Sequence, residues 1–182
     1  MSQQMVGNIQ PGEYPGLEQT PLAEISLGDD GATRRLGEEL AGALGEGGFV
    51  GLVGDLGAGK TTLVQGLVGG LDDSGRWAAT SPTYSLIQIY DTSPPVFHMD
   101  LYRLEGWDDL ESIGYWDIVE GGEGLACVEW LDRIPGAWPG TGMIVELIRH
   151  GAGRMARLWA DSSHRDQIEE IKRTMNSMSE RS

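Results

Sequence analysis

The sequence predicts a three-layer α/β fold built on one mixed sheet. An apolar run from Phe49 to Val53, a glycine-rich turn and a helix with one apolar face follow one another, which is typical of a buried parallel strand and its crossover. Two later pairs of apolar runs, each joined by turn residues, indicate β-hairpins and therefore antiparallel pairing. The 182 residues, of which 40% are hydrophobic, correspond to one domain with a single sizeable core. We therefore expect parallel strands near the glycine turn and antiparallel strands at the hairpins.

The first part of the chain divides into an arm, a strand and a helix. Residues 1–20 combine Gly, Pro, Gln and Glu without periodicity and predict a flexible arm. Ala23 to Leu27 predicts a short strand. Leucines recur at every fourth position within residues 31–45, which predicts an amphipathic helix. The carboxylate of Asp29 or Asp30 can cap this helix by accepting its first free N–H groups.

The later elements are mostly short strands. Five runs have the apolar content of strands: residues 85–90, 96–99, 125–128, 143–148 and 155–160. The first two and the last two are predicted to form hairpins. Between the runs 96–99 and 125–128, the apolar residues Leu110, Ile113 and Ile118 indicate a helix that ends at paired glycines. The folded domain is expected to span residues 21–162, followed by a polar C-terminal tail over 163–182 that is expected to form no more than a frayed helix.

Charge and composition exclude several classes of function. The formal net charge is −15, with 13 basic residues against 28 acidic ones and no basic cluster. Since nucleic-acid binding depends on Lys and Arg contacts to phosphates, we expect no direct binding to nucleic acid. Cys127 is the only cysteine, so no internal disulfide can form and a cytoplasmic location is expected. No apolar run approaches the length that spans a bilayer, so no membrane segment is expected.

The glycine-rich turn fits the phosphate-binding pattern G-x-x-x-x-G-K-[ST] at every fixed position from Gly54 to Thr61. Glycines let consecutive backbone N–H groups point inward, and the following helix adds its positive end. In this pattern Lys60 reaches the β and γ phosphates of a nucleotide, and the Thr61 hydroxyl binds Mg²⁺. Because a strand precedes and a helix follows the motif, we predict a P-loop NTPase fold with a nucleotide site.

Two further features bear on the chemistry. P-loop sites commonly need a second acid at the end of a neighbouring strand, and Glu129 and Asp100 both end apolar runs, although either could be an ordinary solvated carboxylate. The segment Thr80 to Tyr84 lies where a threonine senses the γ-phosphate in several P-loop proteins, although it could also be a plain Ser-Pro turn. No Asn-Lys-x-Asp occurs, which favours ATP over a guanine nucleotide.

Four segments in this order resemble the bacterial TsaE family: Gly54 to Thr62, Ser81 to Tyr84, His98 to Leu104 and Val128 to Trp130. The resemblance covers roughly residues 24–160, and the combination is far more specific than a P-loop alone. It implies an ATPase component of the machinery that makes threonylcarbamoyladenosine at position 37 of certain tRNAs. It also implies Mg²⁺ as cofactor, ATP as substrate and ADP as product.

The resemblance implies a role for individual residues. Thr61 and Glu129 would hold Mg²⁺, while Asp100, Lys60 and Thr83 would serve hydrolysis. Trp130 matches a family position but could belong to the core, and His98 is interpreted as structural. The residues implied in nucleotide binding are Asp30, Gly57, Ala58, Gly59, Lys60, Thr61, Thr62 and Arg154.

The family resemblance also implies partners, the TsaD and TsaB proteins. ATP hydrolysis would reset their complex between turnovers and would be slow without them. Two alternatives remain open. A small-molecule or nucleotide kinase shares the P-loop chemistry but usually needs a lid, for which the stretch from Thr62 to Tyr84 is short. A nucleotide-gated binding module would bind without appreciable turnover.

Overall fold

The structure is a computed structural model and describes residues 9–72, 74, 79–82 and 84–179. The strands among these residues are β1 (Ala23–Leu27), β2 (Phe49–Val53), β3 (Ile87–Tyr90), β4 (Val96–Asp100), β5 (Leu125–Glu129), β6 (Met143–His150) and β7 (Gly153–Ala160). The α-helices among them are α1 (Asp30–Leu44), α2 (Lys60–Leu71), α3 (Trp107–Ser112), α4 (Tyr115–Gly121) and α5 (Arg165–Ser179). Short 3₁₀ turns lie at Pro11–Glu13, Leu131–Arg133 and Pro135–Ala137.

The strands form one mixed sheet in the order β1-β7-β6-β2-β5-β4-β3. Strands β6, β2, β5 and β4 are parallel, while β1, β7 and β6 pair antiparallel and so do β3 and β4. The predicted mixed sheet is therefore confirmed, with parallel pairing beside the glycine loop and antiparallel pairing in the hairpins. The carboxyl ends of β2, β5 and β4 consequently meet at one edge of the sheet, where ligands of α/β proteins bind.

Apolar side chains cover both faces of the sheet and make the three layers. On one face, buried residues of α1, α2 and α5 pack against β2, β5 and β6. On the other face, Leu110 of α3 and Tyr115 of α4 are buried with Met99, Val128 and Ile144 of the strands. A central parallel strand buried on both faces must be apolar throughout, and all five residues of β2 are buried.

Glycines set how closely α1 and α2 approach. A Cβ atom on Gly66 of α2 would clash with the backbone of Arg34, and one on Gly37 of α1 would clash with the backbone of Leu63. The two helices therefore pack backbone against backbone, and this contact holds the helix that follows the phosphate loop. At the start of α1, the cap is Asp29, whose Oδ1 accepts a hydrogen bond from the N–H of Ala32 at 2.7 Å.

The structure differs from the prediction of one helix around Leu110 to Ile118. Two short helices, α3 and α4, occupy this segment. They are separated at Ile113 and Gly114, because Gly114 adopts φ +69°, a left-handed conformation that no helix continues through. Apolar spacing continues across the break, which is why the sequence pattern suggested a continuous helix.

Residues near both limits of the described chain contribute to the cores in a way that the sequence pattern does not indicate. Tyr14 is buried, and Trp138 Nε1 donates a hydrogen bond to the carbonyl of Pro15 at 3.0 Å. In α5, Ile168, Ile171 and Met175 are buried against the face that carries α1. The predicted domain limits at residues 20 and 163 stay a prediction, but side chains on both sides of them share these cores. Within the described ranges, none of the helices has the length and apolar content that a bilayer crossing requires.

We expect Gly66→Ala to lower the free energy of unfolding by about 1–3 kcal/mol, because the added methyl group forces α1 and α2 apart. Gly69→Ala, in the same helix, is the matched control: Gly69 is exposed with open space around its Cβ, so alanine should add up to about 1 kcal/mol through helix propensity. Urea unfolding of the two variants measures the difference. Equal stabilities would contradict the backbone contact between the helices.

Candidate functional site

The loop between β2 and α2 has the backbone of an anion site. Gly54, Gly57 and Gly59 adopt φ values of +138°, +74° and +109°, which residues with side chains rarely adopt. These turns reverse the chain between the strand and the helix. Gly59 is the N-cap of α2 and supplies no side-chain cap, so the first N–H groups of the helix are left for a ligand. The predicted strand, glycine loop and helix are therefore present, in the P-loop arrangement.

A cavity of about 470 Å³ opens above this loop. Most residues that the sequence singled out line it: Asp30, Gly57, Gly59, Lys60, Thr61, Thr62, Asp100, Glu129 and Arg154. Ala58 is buried beneath the loop and is not part of the lining. Thr83 lies outside the described residues. The remaining lining residues are Leu56, Ser81, Tyr102 and Trp130.

Lys60 is folded back onto its own loop. Its Nζ donates to the carbonyl oxygens of Gly54 at 2.5 Å and Asp55 at 3.0 Å, and it lies 3.6 Å from the ring centroid of Trp130. Burial lowers the pKa of Lys60 below its usual range, and the negative charge of Glu129 opposes that shift. A phosphate that enters the cavity can therefore bind the ammonium group of Lys60 in place of these two carbonyl oxygens.

Glu129 connects the phosphate loop to the sheet. It ends β5, is 2% exposed, and its Oε1 accepts a hydrogen bond from Thr61 Oγ1 at 3.1 Å. The same oxygen lies 2.8 Å from Nε2 of His98 on β4. A buried carboxylate needs hydrogen-bond donors, and here the loop helix and the neighbouring strand each bring a donor group within reach.

Asp100 lies beside Glu129, because the two residues are register partners on the parallel strands β4 and β5. Its Oδ2 accepts a hydrogen bond from Ser81 Oγ at 2.7 Å, and its Oδ1 accepts one from the N–H of Tyr102 at 2.9 Å. Both acids that the sequence proposed as alternatives therefore line the same cavity. Ser81 also ties the loop that precedes β3 to this carboxylate.

The oxygen atoms in the cavity fit Mg²⁺. Thr61 and Glu129 offer a hydroxyl and a carboxylate side by side, which are hard ligands of the kind that Mg²⁺ prefers. Within the described parts of the chain there is no group of three or more His, Cys, Asp or Glu side chains that could hold a metal alone. Mg²⁺ usually takes one or two protein ligands and completes its shell with phosphate oxygens and water.

Two arginines flank the loop from the β6–β7 hairpin. Arg154 forms an ion pair with Asp30 at 2.9 Å and donates to Thr33 Oγ1 at 2.6 Å, and its guanidinium lies against Gly59. Arg149 donates to the carbonyl of Gly57 at 3.3 Å. The sequence predicted Arg154 and Asp30 at the site through the family resemblance alone, and it did not indicate Arg149.

Ser81 and Tyr102 are cavity residues that the sequence did not single out. The ring of Tyr102 lies 4.9 Å from that of Trp130, and the two form one wall of the cavity. Trp130 has φ +61°, a left-handed conformation that is uncommon for a bulky residue and that turns the chain just after Glu129. Their positions in the sequence could have identified them as site residues, since Tyr102 follows Asp100 by two residues and Ser81 precedes Thr83 by two.

Comparison with known proteins identifies the relatives of this chain. The family model described as threonylcarbamoyl adenosine biosynthesis protein TsaE matches residues 27–156. A tRNA threonylcarbamoyladenosine biosynthesis protein TsaE from Nostoc sp. is 43% identical over 117 residues, covering 63% of this chain and 71% of the relative. The protein of the same name from Streptomyces coelicolor is 36% identical over 154 residues, covering 81% and 92%. The crystal structure of YdiB from Bacillus subtilis aligns with a TM-score of 0.67 and 27% identity, over 84% of this chain and 95% of that one.

We expect Thr61→Val to lower the free energy of unfolding of the ligand-free protein by about 1–2 kcal/mol, because the buried Glu129 carboxylate loses a hydrogen-bond donor. Thr62→Val is the matched control, since it makes the same change one residue later in the same helix and leaves the donor to Glu129 intact. Chemical denaturation without nucleotide or metal measures both. Equal effects of the two substitutions would mean that the contact between Thr61 and Glu129 is not formed before a ligand binds.

Proposed function

The chain belongs to the TsaE family, and we propose that it binds and hydrolyses Mg-ATP within the machinery that makes threonylcarbamoyladenosine on tRNA. One observation carries the proposal. The Thr61 hydroxyl of the phosphate loop and the Glu129 carboxylate of the neighbouring strand are already in contact, with Asp100 beside them. This is the set of groups that a P-loop ATPase needs around the metal and the γ-phosphate.

Nucleotide binding is proposed to use the loop backbone and Lys60. The N–H groups from Gly57 to Thr62 receive the phosphates, and Lys60 leaves its carbonyl contacts to reach the β and γ phosphates. Asp30 and Arg154, which line the cavity and pair with each other, are proposed to contact the rest of the nucleotide. When bound, Mg²⁺ neutralises phosphate charge. Because the carboxylates of Asp30, Asp100 and Glu129 line the cavity, a polyphosphate is repelled unless a cation accompanies it, so binding should depend on the metal.

Hydrolysis is proposed to depend on Asp100. Its two oxygens are held by Ser81 and by the backbone of Tyr102, so the carboxylate has a fixed direction at the edge of the cavity. A carboxylate in that position can orient the attacking water and accept its proton. Thr83 is proposed to sense the γ-phosphate, and the bond from Ser81 to Asp100 would link its loop to the reacting groups.

The scarcity of cations supports a dependence on partners. Among the described residues that line the cavity, the cations are Lys60 and Arg154, and Arg154 is paired with Asp30. Stabilising the charge that develops during phosphoryl transfer usually takes a further positive group or an ordered loop. We propose that TsaD and TsaB homologues provide this, that turnover is slow without them, and that the complex acts in the cytoplasm. The net charge of −15 supports docking on proteins, with no direct contact to tRNA.

Lys60→Ala should abolish the stabilisation that Mg-ATP gives to the protein, since the phosphates lose their cation. At an ATP concentration of about 100 times the dissociation constant, the wild type should gain about 2.7 kcal/mol by mass action. Lys172→Ala, on α5 and outside the cavity lining, is the control and should keep the full gain. Thermal unfolding with and without Mg-ATP measures this stabilisation in each protein. An unchanged ATP-induced shift in Lys60→Ala would place the nucleotide elsewhere.

Asp100→Asn and Glu129→Ala should each reduce ATP hydrolysis by about 10²–10³-fold while ADP affinity changes only a few-fold. The loop backbone still holds the phosphates, but the geometry required in the transition state is lost. Asp91→Asn, an exposed acid in the turn of the same hairpin as Asp100, should hydrolyse ATP at the wild-type rate. Phosphate release and calorimetric ADP titration give the two quantities.

Near-normal turnover in both site variants would remove these acids from the chemistry. Transfer of phosphate to an added small-molecule acceptor would support the kinase alternative. Tight ADP binding without turnover under any condition, partners included, would support the binding-module alternative.

A further inference from the structure

We propose that His98 is a positioning residue for the metal site, because its imidazole holds the carboxylate of Glu129 in the direction that faces Thr61 and the cavity. The inference rests on the proposed function, in which Glu129 is a ligand of Mg²⁺. His98 was interpreted from the sequence as structural. Its contacts give that position a more specific role.

The ring of His98 is held by its strand and by a neighbouring aromatic ring. The residue is fully buried on β4, where its register partner is Cys127 of the central strand β5. The ring of Tyr90 on β3 stacks over it, with centroids 6.3 Å apart and planes at 26°. Since neither the strand nor the ring can move freely, the position of Nε2 is set by the sheet itself.

The tautomer follows from the surroundings. Nδ1 of His98 is buried and has no hydrogen-bond partner within the described ranges, whereas Nε2 lies 2.8 Å from Glu129 Oε1. A proton on Nδ1 would be left without an acceptor, and Nε2 would then face the carboxylate with a lone pair. These contacts favour the tautomer in which Nδ1 carries no proton and the N–H of Nε2 donates to Glu129 Oε1.

The hydrogen bonds from Thr61 and His98 to Glu129 are expected to respond differently when a metal binds. Thr61 Oγ1, now 3.1 Å from Oε1 and 3.5 Å from Oε2, is the group that would turn to Mg²⁺. The bond from His98 does not involve the cavity and can persist through that change. It therefore keeps the carboxylate oriented when Thr61 no longer does, as hydrogen bonds from a surrounding shell do for metal ligands generally.

The test compares His98→Leu, which removes the donor, with His98→Gln, whose side-chain amide places an N–H donor near the position of Nε2. With saturating ADP, we expect His98→Leu to require at least about 10-fold more Mg²⁺ for half-maximal binding, and His98→Gln to stay within a few-fold of the wild type. Mn²⁺ binding to the ADP complex, followed by electron paramagnetic resonance, should show the same order. ADP affinity in EDTA should not differ among the three proteins.

Two further measurements distinguish a wrong metal site from a wrong positioning role for His98. Glu129→Gln should weaken metal binding at least as much as His98→Leu; if it does not, the proposed metal site itself is wrong. If Glu129→Gln weakens metal binding and folded His98→Leu does not, the positioning role alone is overturned. Nitrogen NMR of the wild type does not depend on any variant folding. It should show the proton of His98 on Nε2, and a proton on Nδ1 would overturn the proposal.

Discussion

The structure depends above all on one buried carboxylate at the end of a central parallel strand. Glu129 is almost fully buried, and a buried charge without partners is costly. Its carboxylate is hydrogen-bonded by groups on two sides. Thr61 approaches from the helix that follows the phosphate loop, and His98 approaches from the next strand. The phosphate loop, the sheet and the buried ring are therefore fixed relative to one another by the same group.

Strand order explains why these groups meet. Because β2, β5 and β4 are parallel neighbours, their carboxyl ends lie together, and each carries one part of the site: the phosphate loop, Glu129 and Asp100. The close backbone contact between α1 and α2 then holds the start of α2 against this edge. The loop is compact, since the Lys60 ammonium group donates hydrogen bonds to the carbonyl oxygens of Gly54 and Asp55.

Local patterns in the sequence were sufficient for the phosphate loop and for most strands, because glycine spacing and apolar runs carry their own conformational preference. They were not sufficient to show that Asp100 and Glu129 both reach the cavity, since that depends on which strands become neighbours. The break at Gly114 was missed because apolar spacing continues across it, and the packing of Tyr14 was missed because a single aromatic residue in a polar arm has no periodicity. Ser81 lies in the loop that the sequence identified, but its bond to Asp100 depends on long-range folding.

The arrangement of charge also bears on the proposed ATP hydrolysis. Among the described residues that line the cavity, the acids that we propose to hold a metal and orient water stand beside two cations, Lys60 and Arg154, that could stabilise a transition state. The most direct measurement is steady-state phosphate release from ATP, with purified TsaD–TsaB titrated into a fixed amount of this protein. The account predicts slow release by the protein alone, a rise of orders of magnitude with the partner, and a blunted rise for Thr83→Ala at nearly unchanged ADP affinity. A rate that is already fast alone and flat across the titration would contradict it.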